Sequence, residues 1–159
     1  MKKRFKCVMI CFITITFLGA TSLYAQDWSK EQLELWQTIE NAWTKWQEGD
    51  FDASFASIHD KYQGWNNEDP LPTSKEKWRK SVEDWKEYTT LDYYNNDPAR
   101  ILIYDNVAVV HYYTEYNLTY TKNEEKKEYY FKGKNAEFYI KEDGKWMLIG
   151  DMSVWEDKK

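Results

Sequence analysis

Cysteine is nearly missing. Of 159 residues only Cys7 and Cys11 are cysteine, and both fall in the first 25. The rest of the chain has no disulfide or thiol chemistry and must be held together by its core. Histidine is as scarce, with only His59 and His111. There is no H-E-x-x-H motif and no cysteine pair beyond residue 25, so a zinc site would need a carboxylate as its third ligand. The expectation is no metal and no cofactor. Basic residues are also short, 22 against 27 acidic, and Lys2, Lys3, Arg4 and Lys6 take four of them. Without residues 1–25 the formal charge goes from −5 to about −9, which excludes nucleic acid, whose phosphates select basic surfaces. Internal repeats, low-complexity tracts and long linkers are absent as well. Residues 26–159 therefore read as one domain of ordinary size.

Long apolar runs are missing with one exception. Behind the basic start, an uncharged apolar stretch runs from Cys7 to Ala20 and gives way to Leu23-Tyr24-Ala25. That is the anatomy of a secretory signal peptide cleaved near residue 25. The strongly apolar part is shorter than the ~20 residues a membrane span needs. The expected location is periplasmic or secreted, with no membrane attachment after cleavage.

Aromatic side chains are what the sequence has in quantity: nine Trp, thirteen Tyr and seven Phe. Each can bury on the order of 150–250 Å², which compensates for a modest aliphatic supply. Ser29-Lys30-Glu31-Gln32 is a capping box that opens a helix toward Glu48, with Trp36, Ile39, Trp43 and Trp46 on one face. Gly49 stops it, and Asp50 caps a shorter helix carrying Phe51, Phe55 and Ile58. Thr73-Ser74-Lys75-Glu76 opens a third helix with Trp78, Val82 and Trp85 at i, i+4, i+7. A short strand is expected inside residues 60–66. From Thr89 the texture is β: Asp97-Pro98 is expected to break the chain, Asp105-Asn106 to turn it, and "KNEEKK" to separate two long strands. Asp143-Gly144 is a strong hairpin signal. Helices first and strands after predict an α+β fold, with three N-terminal helices packed on a curved antiparallel sheet as a partly open cone. Such a shape favours a small-molecule pocket.

Several stretches together resemble the nuclear transport factor 2-like superfamily, which includes SnoaL-like and ketosteroid-isomerase-like domains. They are "WQEGDFDA" (46–53), "IHDKYQGW" (58–65), "DNVAVV" (105–110) and "EDGKWMLI" (142–149). The resemblance implies the cone fold and a cavity, but it does not choose a reaction, since function lives in sites grafted on folds. Isomerase members use an Asp base with an oxyanion hole of Tyr and protonated Asp. In an ungapped comparison the helix Tyr falls on Ala42 and the base Asp on Asn66, with Asp60 as an earlier acidic residue. Gly150 and Met152 stand where many relatives carry His-x-His, so a polar or anion-binding floor is not expected.

His59 and Asp60 are the candidate acid–base residues. The competing reading makes them a helix-to-strand junction, because adjacent strand residues point to opposite sides. His111 shares the odd face of its strand with Val107, Val109, Tyr113 and Glu115, and the even face is expected to line the core. The ligand-binding candidates are Trp46, Tyr62, Trp65, Asn66, Trp85, Tyr112, Thr114, Glu137, Tyr139 and Met152, although the face of residues 128–141 is ambiguous. Three functions stay open. One is a cofactor-free pocket for a small organic, apolar or aromatic ligand. A second is an isomerase, dehydratase or cyclase using Asp60 or His59. The third is an interaction module that dimerises through Val107 and Val109 on the sheet.

Overall fold

The structure, a computed structural model, describes residues 27–156. The expected signal segment lies outside the described residues. Ser29 starts helix α1 (Lys30–Gln47) by accepting from the Gln32 amide, while the Gln32 side chain answers to the Ser29 amide at 2.8 Å. That closes the capping box read from the sequence and satisfies two otherwise orphaned donors. Gly49, at φ 76°, takes the left-handed conformation that ends the turn after α1. Asp50 then caps α2 (Phe51–Phe55), and Ser74 caps α3 (Lys75–Trp85). Among the described residues these are the three helices, and none is long and apolar enough to cross a membrane.

The strands are β1 (Ile58–Asn66), the two-residue β2 (Thr73–Ser74), β3 (Thr89–Tyr104), β4 (Val107–Lys122), β5 (Glu125–Glu142) and β6 (Lys145–Trp155). They form one sheet in the order β2-β1-β6-β5-β4-β3, antiparallel except for the parallel pair β1 and β6. Strands β3 to β6 are a meander joined by three two-residue loops, at Asp105-Asn106, Asn123-Glu124 and Asp143-Gly144. The last has φ 49° and 77°, the backbone that an Asp-Gly pair tolerates at a hairpin. "KNEEKK" is not a separating loop. Only Asn123-Glu124 turns, because Lys122 pairs directly with Glu125 and the remaining charged residues extend the two strands outward.

Proline does not break β3 either. Pro98 stays in the ladder opposite Tyr112, with Ala99 left unpaired as a bulge before Arg100 pairs with His111. Two facts permit this: β3 is the edge strand, so no neighbour needs the missing N–H, and the bulge absorbs the local misfit. A second bulge at Asp92 and a third at Ile149 of β6 bend the sheet further. The result is a curved, unclosed sheet with the helices on its inner face.

Even-numbered residues of β4 (Ala108, Val110, Tyr112 and Thr114) are buried, as alternation predicted. On β5 the odd residues Gly133, Asn135, Glu137 and Tyr139 face inward, which resolves the ambiguous face. Ala108, Val110, Tyr112 and Tyr139 meet Leu35 and Ile39 of α1, Phe55 of α2 and Val82 of α3 in one core. Side-chain bonds lash α1 to β3: Gln32 Nε2 donates to Ile101 O at 2.7 Å, and Thr44 Oγ1 lies 2.8 Å from the Tyr94 hydroxyl.

Candidate functional site: an acid-floored aromatic cavity

Because the sheet curls and the helices bridge only part of it, a cavity of about 520 Å³ remains between them. Helix α1 contributes Ile39, Ala42, Trp43 and Trp46, and α3 contributes Trp78 and Trp85. The rings touch one another. Trp46 lies 5.7 Å from both Trp78 and Trp85, and Tyr62 packs 5.4 Å from Trp78. Opposite, Trp155 meets Tyr116 edge-on at 5.5 Å. Trp65, 45% exposed, stands at the mouth with Asn66 and Asp69.

The floor is polar and acidic. Glu137 of β5 and Asp151 of β6 are direct cross-strand partners, on the same inner face. Glu137 is only 8% exposed and accepts two hydroxyls, Tyr112 at 2.8 Å on Oε1 and Tyr139 at 2.7 Å on Oε2. Asp151 Oδ1 accepts from Tyr62 at 2.8 Å. Burial pushes Glu137 up to about 7, the neighbouring Asp151 adds to the rise, and the two tyrosine donors oppose it. Asp151 is raised too, again mainly by burial, against the pull of Tyr62 and the Trp65 amide. Burial and the adjacent carboxylates raise Tyr62, Tyr112 and Tyr139, so all three remain protonated donors at ordinary pH. Next along the same face, Asn135 pairs across the strands with Ser153. The Asn135 side-chain amide nitrogen is buried without a hydrogen-bond partner.

Of the residues singled out in the sequence, Trp46, Tyr62, Trp85, Tyr112, Glu137 and Tyr139 line the cavity. Trp65 and Asn66 reach only its rim. There Trp65 Nε1 donates to Asp69 O at 2.8 Å, and Asn66 Oδ1 accepts the Glu68 and Asp69 amides. The polar atoms of Asn66 serve the turn. Thr114 is not a site residue: it is buried against β3, where its hydroxyl donates to Asn96 Oδ1 at 2.7 Å. Met152 is a second correction. It is 50% exposed on the outer face, because Ile149 bulges and reverses which residues of β6 point inward. The same reversal brings in Asp151 and Ser153, and with Asp151 the polar floor that Gly150 and Met152 had argued against. A glycine inside a strand pattern, here Gly150, is the available sequence signal for such a bulge.

His59 and Asp60 do not reach the cavity. The ladder between β1 and β6 shifts register between Ile58 and Gln63, which carries Asp60 out to solvent. Lys75 Nζ holds it there at 2.9 Å while also donating to Ile58 O. His59 Nδ1 accepts the Lys61 amide at 3.0 Å, and Nε2 faces Glu142 at 3.3 Å. The pair is a structural junction, and acid–base chemistry based on it is dropped. Among the described residues no three His, Cys, Asp or Glu side chains converge as a metal ligand set.

Solved structures share this architecture. A conserved protein from Planctomyces limnophilus matches with a TM-score of 0.71 at 14% identity, over 79% of this chain and 96% of that one. A ketosteroid isomerase-like protein from Erwinia carotovora matches at 0.67 and 14% identity, over 82% and 100%. An NTF2-like protein from Cytophaga hutchinsonii gives 0.67 and 14%, over 80% and 98%. The chain has the nuclear transport factor 2-like fold. No protein-family model matches it, and no curated protein does.

Proposed function

We propose that the chain is an exported, cofactor-free domain that binds a small organic ligand in this cavity. One observation carries the reading: about 520 Å³ of space persists between the four tryptophans of α1 and α3 and a floor of buried carboxylates and tyrosines. A core built only for stability would close such a space, since interiors pack to crystal-like density and unfilled volume costs stability. The tryptophan wall suits a largely apolar or aromatic body, and the floor suits a hydrogen-bond donor on that body. Protein purified from its natural host, analysed by mass spectrometry and crystallography, tests this. Ligand density between Trp46 and Glu137 is the expected result, and a cavity closed by side-chain rearrangement would refute it.

A catalytic form of the same reading rests on Glu137. A buried carboxyl group near pKa 7 can give and take a proton on a bound ligand at physiological pH. Turnover of the co-purified ligand that vanishes in Glu137→Gln would establish it. The outer face of the sheet supplies a separate proposal. Tyr104, Val107, Tyr113 and Phe138 are exposed there, and Val109 lies beside Phe138, which suits a homodimer formed sheet to sheet.

A further inference from the structure

We propose that the ligand of this cavity is a small organic cation carrying an oxygen acceptor a few bonds from its positive charge. The inference rests on the ligand-binding reading and narrows it to a chemical class. Three independent features converge. The first is charge: Glu137 and Asp151 line the floor with no basic residue beside them, while the exposed Asp69 and Lys77 stand together among the outer lining residues. Two carboxylates held opposite each other on adjacent strands repel, and a cation seated above them removes that repulsion. The second is the wall. Trp43, Trp46, Trp78 and Trp85 surround the space, and ring faces attract a cation, tryptophan most strongly. Tyr62 joins wall to floor, its ring against Trp78 and its hydroxyl on Asp151.

The third feature is the orphan donor. Asn135 is 8% exposed, lines the cavity, and its Nδ2 has no partner in the protein. A buried donor left unpaired costs on the order of 1–3 kcal/mol, and an oxygen on the ligand would satisfy it. Asn135 stands two residues from Glu137 on one strand face, roughly 7 Å along the sheet. An oxygen a few bonds from the charge can reach the Asn135 donor while the charge stays over the carboxylates. A neutral apolar ligand would leave both the carboxylate pair and Asn135 uncompensated.

Calorimetry on the intact folded protein at pH 8 tests the class with three probes. They are choline, tetramethylammonium, and 3,3-dimethylbutan-1-ol, the uncharged carbon analogue of choline. Choline is expected to bind at least about tenfold more tightly than the analogue, and more tightly than tetramethylammonium, which lacks the oxygen. Glu137→Gln and Asp151→Asn should each weaken choline by about tenfold while leaving the analogue within about twofold. An analogue that binds as well as choline overturns the inference, as does an absence of choline binding. Because the probe comparison uses unaltered protein, it stands even if a variant fails to fold. Indole, a neutral aromatic, separates the two readings. If indole binds and quenches tryptophan fluorescence but choline does not bind, the pocket reading survives and the cation inference falls. If neither binds, the pocket reading loses its support as well.

Discussion

Replacing Glu137 by Gln should flatten the pH dependence of stability and make the protein more stable in mild alkali. Glu137 rises from an ordinary value of 4.5 in the unfolded chain to about 7 in the folded one. Between those values the folded state keeps a proton that the unfolded state has lost, so stability falls as pH rises. The shift is about 2.5 pH units, and at about 1.36 kcal/mol per unit the cost at pH 8 is about 3 kcal/mol. Below about pH 4.5 the cost disappears. The substituted glutamine side chain would be neutral throughout and nearly the same shape, so it keeps the packing and removes the ionisation. Asp151 is raised by the same cause, so the variant retains a smaller slope of the same sign. Asp60 and Glu115, which their partners hold below the ordinary range, act oppositely and at lower pH. They lose their contribution only as pH falls through their depressed values. Urea unfolding followed by tryptophan fluorescence at pH 4.5 and pH 8 measures the difference. The unaltered protein should lose about 3 kcal/mol between them through Glu137, a loss that the variant should escape. Equal slopes in the two proteins would refute the reasoning, because Glu137 would then ionise in the folded state as it does in the unfolded chain.

Three further outcomes are expected. Trp46→Ala removes the ring that touches Phe51, Phe55, Trp78 and Trp85, and should cost about 3 kcal/mol in the same urea assay. Gly64→Ala should be destabilising beyond a strand propensity effect, because a Cβ there collides with the Tyr62 hydroxyl and with Asp151 Oδ1. Its check is crystallographic: the Tyr62–Asp151 bond should be broken, and an intact bond would contradict the packing. Val107→Asp combined with Phe138→Asp places like charges on the exposed sheet face, and should convert a sheet-to-sheet dimer to monomer in sedimentation velocity. If the unaltered protein is already monomeric at high concentration, the dimer proposal fails.

Much of the fold was legible because its signals are local. The capping box at Ser29, the helix start at Thr73-Ser74 (where Ser74, one residue after Thr73, is the cap), tryptophans at helical spacing and Asp143-Gly144 act within a few residues, so nothing distant could overrule them. The even face of β4 was legible for the same reason: its ladder to β5 is unbroken along its whole length. Alternation then carries the pattern from Ala108 to Thr114. Pro98 misled because a local breaker signal cannot tell whether its strand lies at an edge.

The sequence by itself determined that helices come first and a strand meander after, the absence of thiol chemistry after residue 25 and the aromatic supply from which a cavity wall could be built. Only the tertiary structure decided the chemistry of the floor. One unpaired residue, Ile149, turned Met152 outward and Asp151 inward, where a neighbouring strand set it opposite Glu137. A shift in the β1–β6 ladder removed Asp60 in the same way. Periodicity in sequence assumes an unbroken pleat, whereas a bulge is settled by how strands bend to close around the helices, and each such residue exchanges the inner for the outer face.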